Sequence, residues 1–267
     1  MSARLTFTIL GCGSSGGVPR IGGHWGDCDP NNPKNRRRRC SMLVERETED
    51  GKTTVLIDTS PDMREQLLSE NISALDGVVY THSHADHVHG IDDLRMVVYN
   101  MRQRVKVWAD GATQNDLLSR FGYAFVQPAD SPYPPILEMH TIDDVAFTVS
   151  GAGGDISLQP IRVDHGSIDA LAFRVNDVVY MPDVSKIYDA AWDQLQDLDC
   201  LIVDALRRTP HPTHAHLDQA LEWIEALAPN RAVLTNMHID LDYEAVAAET
   251  PDHITPAFDG LKITVDL

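Results

Sequence analysis

Four histidines and an aspartate fall within the single stretch Thr81-His82-Ser83-His84-Ala85-Asp86-His87-Val88-His89-Gly90, directly after the apolar run Gly77-Val78-Val79-Tyr80. A β-branched apolar run that ends in a polar cluster predicts a buried strand delivering a loop at its C-terminal end. Imidazole nitrogen and carboxylate oxygen are the ligands that suit Zn²⁺, Mn²⁺ or Fe²⁺. The spacing H-x-H-x-D-H offers two alternating histidines, then an adjacent Asp86-His87 pair that addresses a second point. That is the layout of a two-metal site rather than of one closed tetrahedron.

The rest of the chain has to supply a scaffold for such a loop. With 267 residues, 43% hydrophobic and 23% charged, residues 1–267 are expected to form one globular domain with a sizeable core. The net charge of −18 argues against broad neutralisation of nucleic-acid phosphates, so no long nucleic acid is expected as partner and any nucleotide-like substrate should be small. The N-terminus shows no signal-peptide pattern, and no stretch reaches the length of a transmembrane helix, so no membrane partner is expected. Cys12, Cys28, Cys40 and Cys200 are widely spread and predict no disulfide framework, which points to the reducing cytoplasm.

Residues 4–10 alternate apolar and polar and predict a first strand, ending in Gly11-Cys12-Gly13-Ser14-Ser15-Gly16-Gly17-Val18-Pro19. Glycines there allow close approach of the backbone to a ligand, but no Gly-Lys-Ser/Thr follows, so this is not a P-loop. Residues 22–39 predict a long irregular loop closing with Lys34-Asn35-Arg36-Arg37-Arg38-Arg39. This basic island is either a solvated turn or intersubunit contact, or a phosphate-binding element with Arg38 and Arg39 as its substrate contacts, since guanidinium suits phosphate by bidentate geometry.

Strands are predicted at 40–46 and 53–58, and Ser60-Pro61-Asp62 reads as N-cap, first-turn proline and acidic first turn of a helix to Glu70. A helix follows Ile91–Arg95, then a strand at 105–109 and a helix near 111–121. The proline-rich connector 128–135 is where a second half would begin. Strands at 136–141, 145–149 and 156–163 come next, the last delivering Asp164-His165-Gly166. A hairpin over 169–181 turns at Asn176-Asp177 and ends in Pro182-Asp183. A buried strand over 198–206 leads to His211-Pro212-Thr213-His214-Ala215-His216, which opens a helix through Leu227. Strand 231–235 delivers Asn236-Met237-His238, and a helix near 243–249 and a strand near 261–266 close the chain.

H-x-H-x-D-H after a hydrophobic strand resembles the metal motif of the metallo-β-lactamase superfamily, and the resemblance extends along nearly the whole chain. It implies an α/β fold, an αββα sandwich of two mixed β-sheets flanked by helices. It implies two divalent metal ions, Zn or Mn: His82, His84 and His165 would hold one, Asp86, His87 and His238 the other, with Asp183 bridging. Asp58 would sit behind the histidines and orient them. The turn after the 198–206 strand resembles the place where the phosphodiesterase branch carries a histidine that works on the scissile phosphate; Asp204 and His214 fit it, with His216 a substrate contact beside it.

Asp86 favours phosphodiesters or thioesters over β-lactams, and the histidine turn and arginine island favour phosphate. Within the branch, the Leu10-Gly11-Cys12-Gly13 opening and the Cys40-Ser41 step look similar to the phosphoribosyl cyclic phosphodiesterases of the carbon–phosphorus lyase pathway. Those enzymes hold a structural zinc in a cysteine-rich loop; the corresponding loop here keeps one cysteine, Cys28. The expectation is a hydrolase, a phosphodiesterase opening small cyclic phosphates or nucleotide-like phosphodiesters by metal-bound hydroxide, with His214 stabilising charge or protonating the leaving oxygen. Alternatives are a thioester hydrolase of the glyoxalase II type, a tRNA 3′-endonuclease-like nuclease, and a non-catalytic metal-dependent binding protein. The family expectation for assembly is a homodimer.

Overall fold

The structure, a computed structural model, describes residues 3–127 and 129–267. Pro128, the first residue of the expected connector, lies outside the described residues. Two compact units form, one from the chain up to Leu10 with Ser41–Ser157 and Lys262–Leu267, the other from Gly11–Cys40 with Leu158–Leu261. The change of unit therefore comes at 157/158, later than the 128–135 connector suggests. The reason is local packing: the strand after the connector, Leu137–Thr141, pairs with Val105–Ala109, and a Cβ at Gly77 would lie 2.9 Å from Val149 Cγ1.

In the first unit, β1 (Arg4–Gly11), β2 (Ser41–Thr48) and β3 (Gly51–Ile57) precede helix α1 (Met63–Ser69). They are followed by β4 (Gly77–Val79), the short helix α2 (Ala85–Val88), α3 (Leu94–Met101), β5 (Val105–Ala109), α4 (Gly111–Phe125), β6 (Leu137–Thr141) and β7 (Phe147–Gly151). β8 (Gly154–His165) runs past the change at 157/158, the second unit then holds β9 (Ile168–Val175), β10 (Val178–Met181), β11 (Cys200–Asp204), α5 (Leu217–Leu227), β12 (Arg231–Thr235), α6 (Tyr243–Glu249) and β13 (Ile254–Pro256), and β14 (Lys262–Asp266), of the first unit, follows. One seven-stranded sheet runs β14-β1-β2-β3-β4-β5-β6, the other β13-β12-β11-β10-β9-β8-β7. Both are mixed, antiparallel in β14–β1, β2–β3 and β8–β9–β10 and parallel through β3–β4–β5–β6 and β10–β11–β12–β13.

The parallel strands explain their own sequences. All residues of β4, β10 and β11 are buried, as continuous β-branched runs require when both faces of a strand are covered. In the first unit Leu43, Leu56, Val78 and Tyr80 from the sheet pack with Leu67, Leu94, Val97 and Leu117 from the helices. Each such side chain contributes about 1.5–3 kcal/mol relative to an exposed one. In parallel α/β sheets, ligands gather at the carboxyl ends of the strands. Asp58 follows β3, Thr81 and His82 follow β4, Asp183 follows β10, Asp204 ends β11 and Asn236 follows β12.

Three local expectations shift. The helix read from Ser60 begins at Met63, because Ser60 Oγ accepts from Asp62 N at 3.1 Å and makes a separate turn. Helix α4 runs to Phe125 through a kink at Phe121. Strand β13, of three residues, was too short to stand out in the sequence. Among the described residues no helix is long and apolar enough to cross a membrane.

Candidate metal centre

In the first unit the histidine loop is held from behind by one carboxylate. Asp58 is fully buried and adopts φ 63°. Its Oδ1 accepts from Thr81 N at 2.8 Å, and its Oδ2 accepts from Thr81 Oγ1 at 2.8 Å and from His87 Nδ1 at 2.7 Å. Burial pushes the Asp58 carboxyl above the usual carboxylate range, against the pull of His87 and the Thr81 donors. The far end of the loop is fastened to the same turn. Thr59 Oγ1 donates to Val88 O at 3.2 Å, Gly90 N donates to Thr59 O at 2.9 Å, and a Cβ on Gly90 would come within 2.1 Å of Ser60 O. Only glycine fits there.

These contacts fix the tautomers. His87 Nδ1 carries its proton toward Asp58, which turns the lone pair to Nε2, 3.6 Å from Asp86 Oδ2. The Thr81 hydroxyl gives its only proton to Asp58, so at 3.0 Å it accepts from His82 Nδ1. His82 Nε2 therefore presents a lone pair, 3.0 Å from His84 Nδ1. Two imidazole nitrogens at that separation are what a shared cation requires, and a buried His82 whose Nδ1–H is already bound to oxygen fits a divalent ion at Nε2 by the chemistry of the set. The middle of the loop is gripped by α4: Ser83 Oγ donates to Asp116, and Arg120 Nη1 donates to Ser83 O at 2.6 Å. Sequence reasoning missed this pair, which looks like an ordinary surface i, i+4 ion pair. Arg120→Ala is expected to loosen zinc by about tenfold in a chelator-competition titration, with a loss of fold stability of only about 1 kcal/mol in urea. His89, outside the H-x-H-x-D-H set, lies edge-on to Phe121.

The second unit repeats the logic. β8 ends at His165, and Gly166 follows at φ 82°, where a Cβ would lie 2.4 Å from Thr213 Cγ2. That close approach lets His165 Nδ1 donate to Thr213 O at 2.7 Å; a carbonyl only accepts, so Nε2 keeps the lone pair, 3.5 Å from Asp183 Oδ2. Asp183 Oδ1 accepts from Asn236 Nδ2 at 3.2 Å. His214 Nδ1 donates to Asp204 Oδ2 at 2.8 Å, and Asp204 also accepts from Val184 N at 3.1 Å. Burial raises the Asp204 carboxyl, with His214 opposing. His165, Asp183 and His214 each offer one ligand atom within 4.8 Å of the others. His214, expected beside the metals, thus stands among the donors themselves.

His238 is placed by its backbone N–H, which donates to Leu206 O at 2.8 Å, and its Nδ1 lies 3.2 Å from Asp240 Oδ1. Its Nε2 meets Arg20 Nη2; within this unit its neighbour is a guanidinium rather than another ligand. Burial and the Arg20 charge hold its pKa down. His211 accepts from Thr213 N at 3.3 Å, and its pKa is lowered by burial and by His214. His216 stands at the N-cap of α5, where its carbonyl accepts from Ala220 N at 3.0 Å.

The arginine island divides. Arg37 is 2% exposed and donates to Leu241 O at 2.7 Å, Asn35 Oδ1 at 3.3 Å and Cys28 Sγ at 3.8 Å. Cys28 thus receives a guanidinium. Arg38 donates from Nε and from its backbone N to Asp259 Oδ2, each at 2.9 Å. Arg39 bridges Gly13 through its backbone. Arg37 and Arg38 are engaged with the fold at these positions. Arg20, which sequence reasoning did not single out, is the exposed arginine the structure sets beside a predicted ligand.

Residues 53–239 match the model of a family described as the β-lactamase superfamily domain. Among solved structures, a diphosphatase of the PhnP family superposes with a TM-score of 0.88 and 37% identity, covering 100% of this chain and 99% of that one. Zinc-bound PqqB from Methylobacterium extorquens gives 0.70 and 18% over 98% of this chain and 100% of that one, a likeness of fold. So does the short form of human tRNase Z, at 0.65 and 15% over 98% and 100%. Among curated proteins, an octanoyltransferase of Porphyromonas gingivalis (strain ATCC BAA-308 / W83) is 32% identical over 264 residues. That match takes in 97% of this chain and 51% of the relative, so the chain spans about half the length of the curated protein it matches.

Proposed function

We propose, from the premise that the chain belongs to the β-lactamase superfamily and is a metal-dependent hydrolase, that it cleaves phosphodiester or diphosphate bonds in small nucleotide-like molecules. The observation that carries the metal chemistry is the set of Nδ1 atoms of His82, His87 and His165 tied to oxygen acceptors, each leaving Nε2 as the ligand atom. The ligands we assign are the motif positions His82, His84, Asp86, His87, His165, Asp183 and His238, for two divalent ions. When bound, such ions supply a water of lowered pKa as nucleophile and offset charge on phosphate oxygens. Phosphate as the substrate class is supported by the diphosphatase, 37% identical over the whole chain.

The protein's own part is orientation and proton transfer. Asp58 and Thr213 O hold the imidazoles of His87 and His165 in the ligating tautomer. Asp204 holds His214 by Nδ1, so that a proton on His214 Nε2 is the one available to the leaving oxygen. Asn236 steadies Asp183 through its amide.

The test is metal content by mass spectrometry together with hydrolysis of bis-p-nitrophenyl phosphate, a 2′,3′-cyclic nucleotide and ADP-ribose in Mn²⁺ and in Zn²⁺. About two metals per chain with turnover of at least one phosphate substrate is expected, along with loss of that turnover on chelation. Metal-loaded protein inert toward all three would reject the reading. A second reading, thioester hydrolysis, is favoured by the relative named an octanoyltransferase; an octanoyl thioester cleaved faster than any phosphate ester would establish it.

A further inference from the structure

The structure sets the exposed guanidinium of Arg20 against His238, with Arg207 one residue beyond the carbonyl that positions that histidine. Arg20 follows the glycine-rich turn, and its backbone is pinned: its N–H donates to His24 O at 3.0 Å, and its carbonyl accepts from Gly23 N at 2.9 Å. Its side chain lies across Gly16, where a Cβ would be 3.4 Å from Arg20 Cγ and 3.4 Å from Arg20 Nε. The guanidinium is exposed and ends against His238 Nε2. Arg207 adjoins the same histidine, because His238 N donates to Leu206 O at 2.8 Å. One edge of its guanidinium is fixed by Thr209 O at 2.9 Å and Pro210 O at 2.6 Å.

Among the described residues neither arginine makes an ion pair with a carboxylate. Arg38, Arg208 and Arg231, by contrast, each meet an acid. A guanidinium facing an imidazole lone pair occupies the place that a cation takes. A metal ion held by His238 Nε2 would take that place, with the Arg20 backbone still pinned by its bonds to His24 and Gly23.

Resting on the phosphate reading above, we propose that Arg20, held against His238, binds the second phosphate of a diphosphate substrate, the one whose phosphorus is not attacked. A cyclic phosphodiester carries one negative charge, whereas a diphosphate linkage presents a further charged phosphate with oxygens at fork spacing for guanidinium. Arg20 is then a specificity residue: it separates diphosphates from monoanionic phosphodiesters and leaves the reacting centre to other groups.

The experiment compares wild type with Arg20→Gln and Arg20→Lys, each loaded with metal. The KM for ADP-ribose is expected to rise about tenfold or more in Arg20→Gln, with kcat little changed. The kcat/KM for bis-p-nitrophenyl phosphate should stay within about threefold of wild type, and Arg20→Lys should recover part of the loss because it restores charge without the fork. Inorganic pyrophosphate binding, read by calorimetry independently of turnover, should weaken by the same factor, with metal content and melting temperature at wild-type values. Equal losses on both substrates, unchanged pyrophosphate affinity, or no pyrophosphate binding by wild type would overturn the role of Arg20. Pyrophosphate binding that depends on Arg20 in a protein that hydrolyses no phosphate ester would instead uphold the anion site and reject the hydrolytic reading.

Discussion

His214→Ala is expected to lower kcat for a 2′,3′-cyclic nucleotide by about 10²–10⁴-fold, the range for removal of a positioned general acid. The Nδ1 of His214 is bound to the buried carboxyl of Asp204, at 2.8 Å from Oδ2, so the ring is oriented through that nitrogen. The size of the loss should depend on the leaving group. An alkoxide needs a proton as the bond breaks, whereas p-nitrophenolate leaves without one, so bis-p-nitrophenyl phosphate should suffer far less than the cyclic nucleotide. Equal losses on both would mean that His214 stabilises charge on the phosphate oxygens rather than delivering a proton. A third outcome follows from its place within 4.8 Å of ligand atoms of His165 and Asp183. If the variant comes out with fewer metals per chain, His214 is a ligand, and its catalytic role is removed. Wild-type kcat with full metal content would take it out of the mechanism altogether. Asp204→Asn should reproduce the cyclic-nucleotide defect in milder form, since it keeps the imidazole but weakens the bond that orients it.

Much of this was legible in the chain because the relevant signals are local. The density of ligand atoms between His82 and His87 requires no knowledge of the fold, and the buried runs of β4, β10 and β11 announce strands by their β-branched residues. Asp58, Asp183 and Asp204 are ordinary strand-end aspartates in the sequence, and their expected roles come from the resemblance to the superfamily rather than from local signals. What stayed hidden depends on partners distant in sequence. Arg37 sits in a run of four arginines that reads as solvated, yet it is 2% exposed because Leu241 O, 204 residues away, closes over its guanidinium. Arg120 grips Ser83 O from 37 residues further along. Arg20 is one basic residue in a glycine-rich segment, and only the return of the chain at His238 gives it a neighbour worth noticing. Local sequence marks the residues that bear chemistry; tertiary contact decides which arginines hold the fold and which stay available to a substrate.

Asp58→Asn should produce the second large effect, and on metal affinity rather than on proton transfer. The carboxylate accepts three hydrogen bonds, two from Thr81 and one from His87, with no solvent access. The amide of asparagine has one acceptor oxygen, so its NH₂ must face donors: Thr81 N–H in one orientation, the Thr81 hydroxyl and His87 Nδ1 together in the other. Each buried donor left without an acceptor costs about 1–3 kcal/mol. Releasing His87 Nδ1 also frees the ring to flip and to take the other tautomer, which removes the lone pair from Nε2. Zinc affinity should therefore fall by about 10–100-fold, the usual consequence of losing the carboxylate behind a ligating histidine. Chelator competition on the purified variant measures it. The metal-free protein offers an independent reading. Burial raises the Asp58 pKa in the fold, so the folded state keeps that proton to higher pH than the unfolded chain does. Its contribution to stability is present below the ordinary aspartate range and is lost as pH rises through the raised value. Urea unfolding of the metal-free wild type should show this decline with pH, and Asp58→Asn, which has no proton to lose, should flatten it. A variant that binds zinc as wild type does and keeps the same pH slope would show that His87 is oriented without Asp58.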